Sequence, residues 1–150
     1  ALFALNRILD GLDGALARCD RTTMAGGYLD IVFDFIIYSG IVLSFALFDQ
    51  SLALVAAFVL FSFVGTGSSF LAMAIFADRV QLAPVTPQPK SFYFLGGLTE
   101  GTETILFIAA ICLMPGFFNL FGVIFGLMCC LTIYTRIHHS YHMLKAAEPQ

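Results

Sequence analysis

The chain has 150 residues, of which 59% are hydrophobic and only 11% are charged, and its formal net charge is -3. A soluble domain carries about 45–50% apolar and 25% charged residues. With a mean hydropathy of +0.91, the chain has more apolar surface than one small core can bury, so we predict an integral membrane protein. The seven Lys and Arg residues are scattered, which excludes a clustered basic surface for nucleic acid.

Apolar stretches separated by charged residues, proline or glycine predict a series of membrane-spanning helices. The first 18 residues begin in mid-pattern, without an initiator Met or a secretory signal, and we expect a helix cut short in a chain that lacks an upstream span. Charged or Pro-Gly breaks then delimit stretches of about 20 apolar residues, the length that crosses a bilayer. The four predicted full-length spans cover residues 27–48, 51–77, 91–114 and 117–136, and a polar helical tail follows the last one.

Basic residues indicate the orientation of these spans, because short cytoplasmic loops are enriched in Lys and Arg. The breaks at Asp49-Gln50 and Pro115-Gly116 contain no basic residue. The other two loops and the C-terminal tail contain basic residues. These are Arg18 and Arg21 at the first loop, Arg79 and Lys90 at the third, and Arg136 and Lys145 in the tail. We therefore expect the first and third loops and the C-terminus to be cytoplasmic.

Small residues recur at helix-packing spacing in the predicted spans. Gly97 with Gly101 and Gly122 with Gly126 form GxxxG pairs, which favour close packing of helices within the chain over a dimer interface. The segment 65–69 (GTGSS) falls within a helix, so we interpret it as a packing site and not as a phosphate-binding loop. The cysteines have no CxxC spacing, and we predict neither a disulfide nor a metal site for Cys19, Cys112, Cys129 and Cys130.

Two pairs of aspartates lie within the predicted membrane helices, where ionisable groups are costly and usually functional. Asp10 and Asp13 are three residues apart, and Asp30 and Asp34 are four apart, so each pair shares one helical face. The short connection CDRTTMA makes the two helices antiparallel neighbours. At a rise of about 1.5 Å per residue, the two pairs reach matching depths, and the sequence predicts that the four carboxylates meet.

Four clustered carboxylates repel each other unless cations lie among them. Oxygen ligands favour Mg²⁺, Mn²⁺ or Ca²⁺, and two such ions commonly serve phosphoryl transfer. The alternative, a charge-paired bundle with Arg7, Arg18 and Arg21, is less favoured because intramembrane charge without function is rare.

The residues around the aspartates form a longer motif, Asp10-x2-Asp13-Gly14-x2-Ala17-Arg18, seven residues, then Gly26-x3-Asp30-x3-Asp34. This pattern resembles the signature of the CDP-alcohol phosphatidyltransferases, D-x2-D-G-x2-A-R-x8-G-x3-D-x3-D. The family usually has eight or nine residues between the arginine and the glycine, so the cytoplasmic loop is shorter here. The family has six membrane helices, and the resemblance therefore implies an all-α polytopic bundle of which this chain, residues 1–150, shows five helices in a single N-terminally truncated domain.

The resemblance also implies roles for individual residues. Asp10, Asp13, Asp30 and Asp34 would hold two divalent ions, Mg²⁺ or Mn²⁺, with Asp34 also acting as the catalytic base. Gly14 and Ala17 would leave room for the cytidine nucleotide, and Arg18 would contact phosphate. Gly26 would let the backbone approach the nucleotide.

Further candidates lie outside this motif. Glu100 and Glu103 could line an acceptor pocket, but a structural role, pairing with Arg7 or bonding between helices, is favoured. His138 and His142 have the i, i+4 spacing of a metal pair, although histidines just after a span usually face water and headgroups, as does His139. Basic side chains at positions 79, 90 and 136 could hold a phosphorylated acceptor or merely set orientation.

We therefore predict an enzyme that transfers a phosphatidyl group from a CDP-linked donor such as CDP-diacylglycerol to a small alcohol, with release of CMP, in phospholipid biosynthesis. The expected location is a bacterial inner membrane, with the site facing the cytoplasm and a homodimer as an open possibility. The alternative is a cation or proton transporter that uses the same carboxylates. Such a transporter would not need Gly14, Ala17, Arg18 and Gly26 at these spacings.

Overall fold

The computed structural model describes residues 23–79 and 101–147, and these residues fold into helices without a strand. The α-helices are α1 (Met24–Phe48), α2 (Ala53–Arg79), α3 (Gly101–Leu113) and α4 (Phe118–Ala147). Short 3₁₀ turns at Gln50–Leu52 and Pro115–Phe117 precede α2 and α4. The predicted all-α class is confirmed for this part of the chain.

Within the described residues, three helical segments are long and apolar enough to cross a bilayer: Met24–Phe48, Gln50–Phe76 and Pro115–Ala146. They correspond to the first, second and fourth predicted full-length spans. The third is represented by α3, whose 13 residues are shorter than a bilayer core requires, and residues 91–100 of that span lie outside the described residues. The truncated first helix lies outside them too, so the count of five spans remains a prediction.

The predicted breaks form tight turns between helices. After α1, the Asp49 carboxylate accepts a hydrogen bond of 2.8 Å from the backbone N–H of Ser51 and caps the 3₁₀ turn that leads into α2. After α3, Pro115 begins a second 3₁₀ turn, a position where its missing N–H is not needed. The α4 helix continues without interruption into the polar tail and reaches Ala147.

The chain divides into two compact units, Ala1–Ile37 and Tyr38–Gln150, and the boundary falls within α1. In the first unit the structure describes residues 23–37, the beginning of α1. The interpretation as one domain stays a prediction.

In the second unit α2 packs along α4 through the glycines of the sequence. A Cβ atom added to Gly122 would lie 2.5 Å from Cγ1 of Val55, and one added to Gly126 would overlap the ring of Phe58. Gly65 on α2 is covered in the same way by the end of the Ile133 side chain on α4. The GxxxG pair of α4 therefore serves packing within the chain, as predicted, and so does the glycine that begins the segment 65–69.

Aromatic rings close the remaining contacts of this unit. The Phe107 ring of α3 stacks on Phe125 of α4, with ring centroids 4.2 Å apart, and Phe63 of α2 meets the same ring edge to face at 5.8 Å. Phe45 of α1 stacks on Phe118 at 4.5 Å. Each such pair contributes about 0.5–1.5 kcal/mol beyond the burial of its area, so these rings join α3 and the end of α1 to the α2–α4 pair.

Candidate functional site

The described part of the predicted site begins at the N-terminus of α1. Thr23 caps this helix: its side-chain Oγ1 accepts a hydrogen bond of 3.1 Å from the backbone N–H of Gly26, and its carbonyl accepts one from Gly27. A Cβ at position 26 would lie 3.1 Å from Thr23 Oγ1, which is closer than ordinary contact. A side chain there would press on the cap, and the resemblance predicts a close approach by nucleotide at this same position.

Asp30 and Asp34 follow on α1, one turn apart and therefore on one face of the helix. Asp30 is exposed and Asp34 is half-buried. At about 1.5 Å per residue they lie roughly 6 and 12 Å along the helix from Gly26. The structure thus confirms the helical arrangement predicted for this pair, with the deeper carboxylate the more enclosed.

The pair has the chemistry of a hard-cation site. Carboxylate oxygens are the donors that Mg²⁺ and Mn²⁺ prefer, and like charges one turn apart favour a bound cation between them. Among residues 23–79 and 101–147, no group of three or more Asp, Glu, His or Cys side chains converges as a metal site. The predicted ligand set also needs Asp10 and Asp13, which lie outside the described residues.

The other predicted partners of this site also fall in residues 1–22. Gly14, Ala17 and Arg18 lie there, together with Arg7 and Arg21, so the meeting of the four carboxylates and the nucleotide contacts remain predictions.

Glu103 lies in the first turn of α3 and is half-buried, as is its neighbour Thr104. Acids are favoured at that end of a helix, because the backbone N–H groups there carry partial positive charge. Glu100 and Lys90 lie outside the described residues, and both alternatives for the glutamates stay open.

Arg136 has a setting that the sequence did not predict. This side chain of α4 is only 5% exposed, and its Nη1 donates to the Thr66 carbonyl oxygen at 3.0 Å and to Ser69 Oγ at 3.4 Å, both on α2. The guanidinium also lies 5.6 Å from the centre of the Phe70 ring, within cation–π range. Arg136 thus joins α2 to α4, a role that was not predicted from the sequence.

The feature of the sequence that could have indicated the contacts of Arg136 is the polar segment 65–69 of α2, which contains both of its hydrogen-bond acceptors. Thr66 Oγ1 bonds back to the Ser62 carbonyl at 3.0 Å, and Ser69 Oγ bonds to the Thr66 carbonyl at 3.0 Å. The segment 65–69 lies within α2, as predicted, and supplies acceptors for a buried cation as well as space for packing.

The histidines of the tail continue α4. His138, His139 and His142 are all exposed, and the ring centroids of His138 and His142 lie 4.5 Å apart. No disulfide bond joins the described cysteines Cys112, Cys129 and Cys130, and Cys129 is buried in α4.

Comparison with known proteins identifies the class. The family model for CDP-alcohol phosphatidyltransferase matches residues 1–135, a stretch that includes the whole aspartate motif and all the helices described above except the tail. The chain is a membrane protein that belongs to the CDP-alcohol phosphatidyltransferase family. This membership confirms the resemblance and favours a transferase over a cation transporter.

A relative can also be named. The chain is 50% identical over 147 residues to the inner membrane protein YnjF of Escherichia coli (strain K12), and the match covers 97% of this chain and 71% of the relative. The relative's name supports a membrane location and states no reaction. No solved structure matches the chain.

Proposed function

We propose that this chain catalyses the metal-dependent transfer of a phosphatidyl group from CDP-diacylglycerol to a small alcohol, with release of CMP, as a step of phospholipid biosynthesis. The observation that carries the proposal is the pair Asp30 and Asp34, one turn apart on α1, within a chain whose family membership rests on residues 1–135. The apolar helices that surround the motif along the chain suit a donor that is itself a lipid.

The reaction is a displacement at phosphorus. The hydroxyl oxygen of the alcohol attacks the phosphorus that bears the diacylglycerol, and a new P–O bond forms. The bond from that phosphorus to the oxygen bridging it to the CMP phosphate breaks, so CMP leaves with the bonding electron pair. The hydroxyl proton passes to a carboxylate of the protein, for which we propose Asp34.

The burial of the two aspartates supports a division of roles. Asp30 is exposed near the start of α1, where a water-soluble nucleotide group can arrive, while Asp34 is half-buried one turn deeper. A base that must take a proton from an alcohol attacking a lipid-linked phosphorus belongs at the deeper level.

The oxygen-only donor set of Asp10, Asp13, Asp30 and Asp34 fits Mg²⁺ or Mn²⁺, and we propose that these four side chains hold two such ions. Bound divalent ions would offset the negative charge of the diphosphate. Arg18 would bind a phosphate oxygen through its planar fork of N–H donors. Gly14, Ala17 and Gly26 would leave space beside the helices for cytidine.

The membrane setting completes the proposal. We infer that the N-terminus of α1 faces the cytoplasm of an inner membrane, because the basic residues at positions 18, 21, 79, 90, 136 and 145 follow the positive-inside pattern.

The test uses the full-length natural protein in lipid nanodiscs, with CDP-diacylglycerol labelled in its phosphatidyl group and a panel of free and phosphorylated alcohols. We expect labelled phospholipid and CMP in equal amounts with one class of alcohol, and no product in excess EDTA. Asp30→Asn should abolish turnover, whereas Asp49→Asn, which removes a carboxylate from the turn between α1 and α2, should retain it. Full turnover of Asp30→Asn, or full turnover in excess EDTA, would contradict the proposal.

A second variant tests the base. Asp34→Asn should bind the CDP donor in the presence of Mg²⁺ yet lose most of kcat, because the alcohol's proton would have no acceptor. Donor affinity is measured by calorimetry beside the turnover assay. Loss of donor binding together with turnover would make Asp34 a metal ligand without a separate role as base.

A further inference from the structure

The last turns of α4 bring two imidazoles together on one side of the helix. His138 and His142 are exposed and four residues apart in a continuous helix, so their side chains project from neighbouring positions. Their ring centroids are 4.5 Å apart, with an angle of 65° between the ring planes.

This separation matches what shared ligation of one ion requires. A zinc–nitrogen bond of about 2.0–2.1 Å, with about 1.1 Å more from the nitrogen to the ring centre, places each centre roughly 3.2 Å from the ion. For ligand angles of about 90–110° the two ring centres would then be roughly 4.5–5.2 Å apart. The separation of the two rings is therefore compatible with their binding one ion.

Neighbouring side chains leave the pair accessible and set its ligand chemistry. The α4 helix contains no Asp or Glu, and the ligands that the pair itself supplies are imidazole nitrogens. The Tyr134 ring lies beside His138 at 6.3 Å, and the Lys145 ammonium lies 5.9 Å from the centre of the Tyr141 ring. Imidazole ligands favour Zn²⁺, Ni²⁺ and Cu²⁺, whereas Mg²⁺ prefers oxygen.

We propose that His138 and His142 form a two-histidine site for a borderline transition-metal dication, Zn²⁺, Ni²⁺ or Cu²⁺, with water completing its coordination. The site lies on the exposed side of α4 and shares no residue with the aspartate motif. Together with the proposed aspartate site, this pair would give the protein two classes of metal site.

The adjacent histidine provides the matched control. His139 is one position along the helix, about 100° around its axis from His138, and its ring centroid is 5.9 Å from that of His138 at an interplanar angle of 77°. A single Asn substitution at each position changes the same functional group with the same loss of volume.

The experiment is a calorimetric titration of the tag-free full-length protein in nanodiscs with Zn²⁺. Excess Mg²⁺ is present throughout, so that sites made of carboxylate oxygens are already occupied. We expect one Zn²⁺ per chain in the natural protein. Loss of one of two ligands should weaken binding roughly tenfold or more in His138→Asn and in His142→Asn, with little change in His139→Asn. With Cu²⁺ as the probe, electron paramagnetic resonance should show coupling to two imidazole nitrogens.

Several outcomes would overturn the assignment. One is that His139→Asn weakens Zn²⁺ binding as much as His138→Asn, which would indicate an unspecific histidine surface. Another is that His139→Asn weakens binding while His138→Asn does not, which would indicate a pair formed by positions 139 and 142. Another is that the double variant His138→Asn/His142→Asn binds Zn²⁺ as tightly as the natural protein. Circular dichroism of each variant checks that α4 remains folded, so that lost binding reports ligation.

Discussion

Gly126→Ala tests the close contact between α2 and α4. The new Cβ would overlap the Phe58 ring, with Cδ1 at 2.7 Å and Cζ at 3.1 Å, so the ring or the helices must shift. Overpacking of this kind costs about 1–3 kcal/mol, while replacing Gly by Ala in a helix gains about 1 kcal/mol. We expect a net loss of roughly 0–2 kcal/mol in the free energy of unfolding.

Gly40→Ala on α1 is the matched control, because a Cβ there meets nothing within 4 Å. It should be neutral or stabilising, and the two variants should differ by about 1–3 kcal/mol. The free energy of opening can be measured from the labelling rate of the Cys129 thiol, which is 1% exposed, with mass spectrometry to separate it from the other cysteines.

The contacts also predict an order among the packing glycines. Gly65→Ala should cost less than Gly126→Ala, since the obstructing atom is the flexible end of Ile133 and not an aromatic ring. Replacing the Phe58 ring by a smaller side chain, as in Gly126→Ala/Phe58→Leu, should recover part of the lost free energy of unfolding. A double-mutant cycle would show this recovery as a coupling energy between positions 58 and 126. Equal stability of Gly126→Ala and Gly40→Ala would refute the close packing of α2 against α4.

Further predictions concern the contacts of Arg136, the charge of Asp49 and the orientation of the chain. Arg136→Lys should lower the free energy of unfolding by about 1 kcal/mol, through loss of the planar fork and its ring contact, and Ser69→Ala by about 0.6 kcal/mol or less in the same labelling assay. The hydrogen bond from the Ser51 backbone N–H lowers the pKa of the Asp49 carboxyl below its usual 3.8. The ionised carboxylate therefore stabilises the folded protein above pH 3.8, and this contribution is lost as the pH falls through the lower pKa of the folded state. In an acid titration, the free energy of unfolding of Asp49→Asn should fall less steeply over this range than that of the natural protein. A membrane-impermeant maleimide should label Cys19 only after cells are permeabilised, and labelling in intact cells would invert the proposed topology.

Sequence periodicity was sufficient to predict most of the helices. Apolar length located α1, α2 and α4, and Asp49, Arg79 and Pro115 lie where helices end or turns begin. Charge at the end of a span and proline after it act locally, so one sequence contains enough information to place them.

The role of Arg136 could not be predicted because it depends on which helix faces it. The sequence shows a basic residue at the end of a span. Only the packing of α2 on α4 brings the Thr66 carbonyl oxygen to 3.0 Å from Nη1 of Arg136. The helical tail could be predicted from the sequence. The 4.5 Å separation of the His138 and His142 rings could not, because it depends on side-chain rotamers. The relation between Asp30 and Asp34, by contrast, could be predicted from spacing alone, since residues four apart share a face in any helix.

The internal contacts of Arg136 affect how the protein tolerates bilayers of different thickness. The charge-free helical stretch from Phe118 to Thr135 is about 27 Å long, close to the hydrocarbon thickness of about 30 Å. In a thicker membrane a surface arginine at that level would draw water inward or force the helix to tilt. Arg136 already has a carbonyl and a hydroxyl of α2 as acceptors, so its charge can lie beneath the headgroups with less hydration, and the hydrophobic mismatch at this end of the α2–α4 pair costs less.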